Sequence, residues 1–128
     1  MKFPESLLYP DTHEWVKNEG NQVIVGLTDY AQSQLKDIVY VELPEIGSRF
    51  NKGDSIGVVE SVKTAADLFS PVSGKVKETN MTLKDSPQFI NEDPYGKGWI
   101  LKMDLRDKGE LKRILTSKAY QGVLLKED

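Results

Sequence analysis

The stretch Val58-Val59-Glu60-Ser61-Val62-Lys63-Thr64-Ala65-Ala66-Asp67-Leu68-Phe69-Ser70-Pro71-Val72 decides how this chain folds. The β-branched residues Ile56, Val58, Val59 and Val62 favour extended backbone on the approach to Lys63. Gly53-Asp54 before the stretch and Ser73-Gly74 after it are strong turn signals. The pattern predicts two short strands joined by a tight turn, with Lys63 at or beside the tip. A lysine held there offers a modifying enzyme an accessible amine on a flexible stem. Most turn lysines are only solvated charge, because lysine is rarely buried. Turn geometry alone therefore does not mark Lys63 out; its neighbours must.

Outward from that hairpin, composition removes several classes of function. A chain of 128 residues suits one domain, residues 1–128, which buries on the order of two-thirds of its unfolded surface without a staple. With no cysteine and one histidine, disulfides, structural zinc and a thiol nucleophile are all excluded, so any redox chemistry must arrive with a cofactor. A formal charge of −3 and a pI near 5.2 argue against nucleic acid, whose phosphates need clustered Lys and Arg. No run of apolar residues is long enough to span a membrane. Met1-Lys2-Phe3-Pro4-Glu5 resembles neither a signal nor a transit sequence, so a cytoplasmic location is expected.

In chain order, residues 13–17 alternate as a strand, with His13 and Trp15 on one face and Glu14 and Val16 on the other. Asn18-Glu19-Gly20-Asn21 turns the chain and Val23-Ile24-Val25 returns as the second arm of a hairpin. His13, lacking cysteine partners, is expected to be a hydrogen-bonded structural residue and not a ligand. Thr28 can cap a short helix over Asp29–Leu35. Ile38–Leu43 reads as a strand stopped by Pro44, and Lys75-Val76-Lys77 as another beyond the central hairpin. Residues 80–98 are irregular, with a helical turn started by Ser86-Pro87 and a type I turn at Asp93-Pro94-Tyr95-Gly96. Trp99, Leu101, Met103 and Leu105 alternate as one strand face. Leu111, Ile114, Leu115 and Ala119 repeat at helical spacing, which predicts a helix over about 109–121 with Gly122 as its C-cap. Many short strands with glycine and proline turns give a mainly β sandwich or flattened barrel with short helices and a C-terminal helix.

The run Gly57–Val76 resembles the lipoyl-attachment hairpin of the glycine cleavage system H proteins. The resemblance extends over nearly the whole chain, through Thr12-His13-Glu14-Trp15, Val25–Gln32, Asp37–Pro44 and Asn91–Trp99. Several blocks in the right order are far more specific than one motif. Two departures stand out. Lys36 occupies a position where glycine is usual, and Phe69 one where tyrosine is common.

The resemblance implies a barrel-sandwich hybrid with the attachment hairpin at one end, and lipoate covalently bound to Lys63. It implies a carrier that shuttles an aminomethyl group from glycine decarboxylase to an aminomethyltransferase, with reoxidation by dihydrolipoamide dehydrogenase. Thr12, Glu14 and Asp67 match positions that shelter the loaded arm, and Glu60 and Gly74 match positions read by a lipoylating enzyme. On residues alone, Glu60 is a solvated strand residue and Gly74 a turn glycine needing positive φ. A monomer is expected.

No enzyme constellation is present: there is no Gly-x-Ser-x-Gly, no phosphate loop and no Cys/His pair. Carriage therefore fits better than catalysis, the cofactor supplying the chemistry. Biotin is disfavoured because Val62 and Thr64, not methionines, flank Lys63. The alternatives are a lipoyl domain of another multienzyme system, a protein relaying lipoate, or an unmodified interaction module of the same fold.

Overall fold

The computed structural model describes residues 1–127. Strand β1 (Glu14–Glu19) pairs antiparallel with β2 (Gln22–Leu27), placing Trp15 opposite Gly26 and Val16 opposite Val25. β2 then pairs with β8 (Leu101–Leu105), β8 with β7 (Gly74–Thr79), and β7 with the short β4 (Arg49–Phe50), forming a five-stranded antiparallel sheet. The second sheet has three strands in the order β3 (Ile38–Glu42), β5 (Ser55–Ser61), β6 (Ala65–Phe69). Val16, Val25 and Met103 of the larger sheet meet Val41, Val59 and Leu68 of the smaller one in a single apolar cluster. Each such side chain contributes roughly 1.5–3 kcal/mol on burial. Two antiparallel sheets closed on that core give the expected barrel-sandwich arrangement.

Alternation along β1 separates two cores. Val16 enters the inter-sheet cluster, whereas Trp15 joins Leu7, Tyr9, Tyr120 and Leu124 on the outer side. Trp15 Nε1 donates to Pro94 O at 2.9 Å. Its ring lies so close over Gly26 that a Cβ there would stand 2.5 Å from ring atoms. Trp99 precedes β8 and packs with this outer cluster, while Leu101 and Met103 fill the inner one. The first strand starts one residue later than expected. His13 has φ +76° and is not extended, its N–H donating to Pro10 O at 3.1 Å.

Helix α1 (Asp29–Leu35) forms as the sequence predicts: the Thr28 hydroxyl accepts the Ala31 N–H at 3.1 Å. It stops at Lys36, which has φ 65° and ψ −142°. Two contacts impose that conformation, Lys36 N–H donating to Gln32 O at 2.8 Å and Asn91 Nδ2 donating to Lys36 O at 2.6 Å. A glycine adopts such a backbone freely, whereas an L side chain is strained. That explains why a lysine at this position is a departure. Residues 80–98 contain two single-turn helices, α2 (Thr82–Asp85) and α3 (Phe89–Glu92). Ile90 N–H donates to Pro87 O, and Gly96 N–H to Asp93 O, closing the two expected turns.

The C-terminal region differs from its sequence expectation. In place of one helix over 109–121, Lys108–Arg113 forms a 3-10 turn and α4 spans Ser117–Glu127. Between them Ile114 is extended, and Tyr9 N–H donates to Leu115 O at 2.8 Å. Pairing Leu115 with the N-terminal segment breaks the helical stripe, and Thr116 starts a new helix, its hydroxyl accepting the Ala119 N–H at 3.3 Å. Gly122 is therefore an interior helical residue and not a C-cap.

Two substitutions separate these backbone states. Lys36→Gly should raise unfolding free energy by roughly 0.5–1 kcal/mol in urea titrations, because strain relief of about 1–2 kcal/mol exceeds glycine's added chain entropy. Gly122→Ala should also stabilise, by about 1 kcal/mol, since a Cβ there meets nothing within 4 Å. Destabilisation by Gly122→Ala would indicate the left-handed cap.

Candidate functional site

The hairpin of β5 and β6 carries Lys63 at its tip. Glu60 pairs with Ala65, and Ser61, Val62, Lys63 and Thr64 make the turn. Ser61 closes it three times: its N–H donates to Thr64 O at 2.7 Å, its hydroxyl donates to the same oxygen at 3.1 Å, and it accepts the Thr64 N–H at 3.2 Å. Val62 N–H donates to Asp37 O at 3.1 Å, tying the turn to the entrance of β3. With the backbone fixed this way, Lys63 is exposed and its amine is presented to solvent. Sequence reasoning did not single out Ser61, although serine's habit of bonding nearby backbone in turns is the signal that finds it.

Beside the hairpin lies a cavity of about 280 Å³ between α1 and β6. Leu27, Ala31, Leu35, Val59 and Ala66 give it apolar walls, and Thr12, His13, Tyr30, Gln34 and Asp67 supply polar groups. Asp67 is exposed and accepts a hydrogen bond from Ser55 Oγ at 3.2 Å. The four residues from Lys63 to Asp67 span roughly 13 Å of extended chain, short enough for a lengthened lysine arm to fold back over β6.

Glu14 is not on the cavity surface. It is 0 % exposed, because β1 alternation points it inward with Val16. Its carboxyl accepts a short hydrogen bond from the Thr12 hydroxyl and another from the Phe69 N–H at 3.4 Å. Burial pushes the Glu14 carboxyl up to about 8, against the opposing pull of those bonds. The structure thus brings Thr12 and Asp67 to one groove and puts Glu14 behind Thr12, neutral over much of the range below pH 8.

Glu60 is half-buried on β5, opposite Tyr40 and Ala65. Gly74 corrects an expectation. It is the first residue of β7 in the other sheet, paired with Leu105 and Phe50, and its φ is not positive. What excludes a side chain is crowding, since a Cβ there would stand 2.0 Å from Asp104 O. Among the described residues no cluster of His, Asp and Glu could hold a metal, and no helix is long and apolar enough to cross a membrane.

Comparison with known proteins agrees with this geometry. The family described as "Glycine cleavage H-protein" matches residues 7–127. A glycine cleavage system H protein of Thermus thermophilus is 50% identical over 127 residues, covering 99% of each chain. One from Acinetobacter baumannii is 53% identical over 124 residues, covering 97% of this chain and 100% of the relative. A crystal structure of the H protein from Mycobacterium marinum superposes with a TM-score of 0.87 at 36% identity, over 94% of this chain and 97% of the other.

The buried carboxyl makes stability depend on pH. Between the ordinary value of 4.5 and the folded value of about 8, the folded protein holds a proton at Glu14 that the unfolded chain has lost. This contribution is complete below 4.5 and disappears as pH rises through 8, at up to about 1.4 kcal/mol per pH unit. Glu14→Gln, neutral throughout, should gain on the wild type from pH 5 to pH 8 in urea unfolding. Parallel stability curves would mean that Glu14 titrates normally.

Proposed function

The chain belongs to the glycine cleavage H-protein family, and on that premise we propose that it is the lipoyl carrier of a glycine cleavage system, with lipoate in amide linkage on Lys63. When bound, lipoate supplies the dithiolane that takes an aminomethyl group from glycine decarboxylase, yields it to the aminomethyltransferase and is reoxidised by dihydrolipoamide dehydrogenase. The chain itself is a substrate of these enzymes and of a lipoylating enzyme. It works as one domain, residues 1–128, in a monomeric, cytoplasmic carrier.

The observation that carries this reading is the exposed Lys63 on a turn closed by Ser61, beside a groove with apolar walls and a polar end. The residues fit the group. Leu35, Val59 and Ala66 suit a hydrocarbon chain, and Thr12 and Asp67 suit a terminal ammonium. A charge-assisted hydrogen bond to such a cation is worth roughly 1.5–3 kcal/mol where water is partly excluded. A cation arriving at Thr12 also favours ionisation of Glu14 behind it, so the groove gains charge only when it has charge to meet. Glu60, three residues before Lys63 on the strand that leads into the turn, is read by the lipoylating enzyme through its carboxylate. Gly74 serves recognition through backbone shape, at a point where any side chain would collide with Asp104 O.

Incubating unmodified protein with lipoate, ATP and a lipoate ligase should add one lipoyl mass by intact mass spectrometry. Lys63→Arg, which keeps the charge, should gain none; labelling of that variant to the wild-type extent would overturn the assignment. Glu60→Gln should slow the reaction by up to about fivefold at low salt, the worth of one exposed charge contact.

A further inference from the structure

The chain's single histidine has no part in the carriage just described, yet it lies in the wall of the groove, next to Thr12. His13 adopts φ +76°, a conformation that side chains other than glycine rarely hold without being over-determined by their surroundings. The surroundings here are specific. Nδ1 lies 2.8 Å from the Tyr120 hydroxyl, and Nε2 lies 3.4 Å from Glu127 Oε2, both groups on α4. The ring also packs against Tyr30 of α1, with centroids 5.1 Å apart.

From Tyr120 the chain of bonds continues into the groove's other wall. Tyr120 is fully buried, and its hydroxyl lies 3.0 Å from Thr28 Oγ1. Thr28 Oγ1 accepts the Ala31 N–H and so caps α1, the helix that supplies Tyr30, Ala31, Gln34 and Leu35 to the groove. Thr28 N–H also donates to His13 O at 3.1 Å. The donors and acceptors close consistently: Thr28 hydroxyl to Tyr120 oxygen, Tyr120 hydroxyl to Nδ1, Nε2–H to the Glu127 carboxylate. Burial pushes the Tyr120 hydroxyl well above its ordinary value, so it keeps its proton as a donor.

We propose that His13 is a positioning residue for the docked arm: bonded to Tyr120 and Glu127, it fixes Thr12 and the α1 wall in the geometry that receives the arm's amine. The C-terminal helix, which does not line the groove, thereby governs how well the groove shelters what it holds. The inference rests on the reading that the arm docks at Thr12 and Asp67.

The test uses lipoylated protein carrying the aminomethyl group, with two readouts. One is formaldehyde appearance as water displaces the methylene unit, leaving ammonium and the free thiol. The other is the rise in melting temperature on loading, which reports docking through linkage. Tyr120→Phe removes one hydroxyl and keeps the ring, and His13→Ala removes the imidazole. Both should release formaldehyde about five- to tenfold faster and lose the loading-dependent rise, the equivalent of one hydrogen bond. His13→Asn, whose side chain tolerates the left-handed backbone and whose amide oxygen can accept from the Tyr120 hydroxyl, should restore both readouts. All variants should be lipoylated at the wild-type rate, which shows a folded hairpin; should His13→Ala fail there, Tyr120→Phe decides. Thr12→Val and Asp67→Asn serve as controls. Fast decay in the controls with wild-type behaviour in Tyr120→Phe and His13→Ala overturns the role of His13 alone. Wild-type decay in the controls as well overturns arm docking, and this inference with it.

Discussion

The carboxyl group of Glu14, enclosed between the two sheets, is the constraint on which the site depends. It reaches from β1 of the larger sheet to the Phe69 N–H of β6 in the smaller one, and on the same strand's approach it takes the Thr12 hydroxyl. One side chain thus sets the attachment hairpin, the larger sheet and the polar end of the groove against each other. Enclosing an ionised carboxylate in this way would be costly; burial instead drives it toward the neutral form. A neutral acid between apolar sheets is tolerable, and it remains available to meet a cation that arrives next to Thr12.

Carriage needs two opposed mechanical properties. The turn must be rigid enough to be recognised and loaded at one lysine, and the arm must be free to leave. The first comes from Ser61, whose three contacts with Thr64 fix the turn without burying Lys63. The second comes from the lysine stem and a groove that is shallow and largely apolar, with polar groups concentrated at one end. Dispersion and apolar burial along such a groove are non-directional, so they permit sliding and release. In the proposed carriage, directional bonds at Thr12 and Asp67 distinguish a loaded arm from an empty one. Strained backbone lies at the borders of the same region, at His13 and Lys36, each held by named hydrogen bonds.

Most of the strand order was legible because its signals are local. Alternation marks β1 and β8, the turn at Asn18–Asn21 with Val23-Ile24-Val25 marks β2, β-branched residues mark β5, and Thr28 with Asp29 marks the start of α1. The C-terminal helix was misplaced because Leu111, Ile114 and Leu115 do share a helical period, and only pairing of Leu115 with Tyr9 overrides it. That contact joins residues distant in sequence, so no local pattern contains it. Ser73-Gly74 before a strand looks like a turn, whereas the crowding of Gly74 by Asp104 O depends on the register of β7 against β8. At the site, Lys63 could be placed from its neighbours, and Glu14 shares a face with Val16 in the sequence pattern itself. Its complete burial could not be read there, because it follows from the smaller sheet closing over that face.

In the proposed carriage the groove answers the charge of the docked arm through Glu14. Carboxyl carbon-13 NMR titration of selectively labelled Glu14, in the lipoylated protein with and without the aminomethyl group, tests it directly. A midpoint near 8 is expected in the unloaded protein, with a clear downward shift once the ammonium is docked, as a neighbouring cation favours the carboxylate. The same midpoint in both forms, or an unloaded midpoint at the ordinary value of a solvated carboxyl, would contradict it.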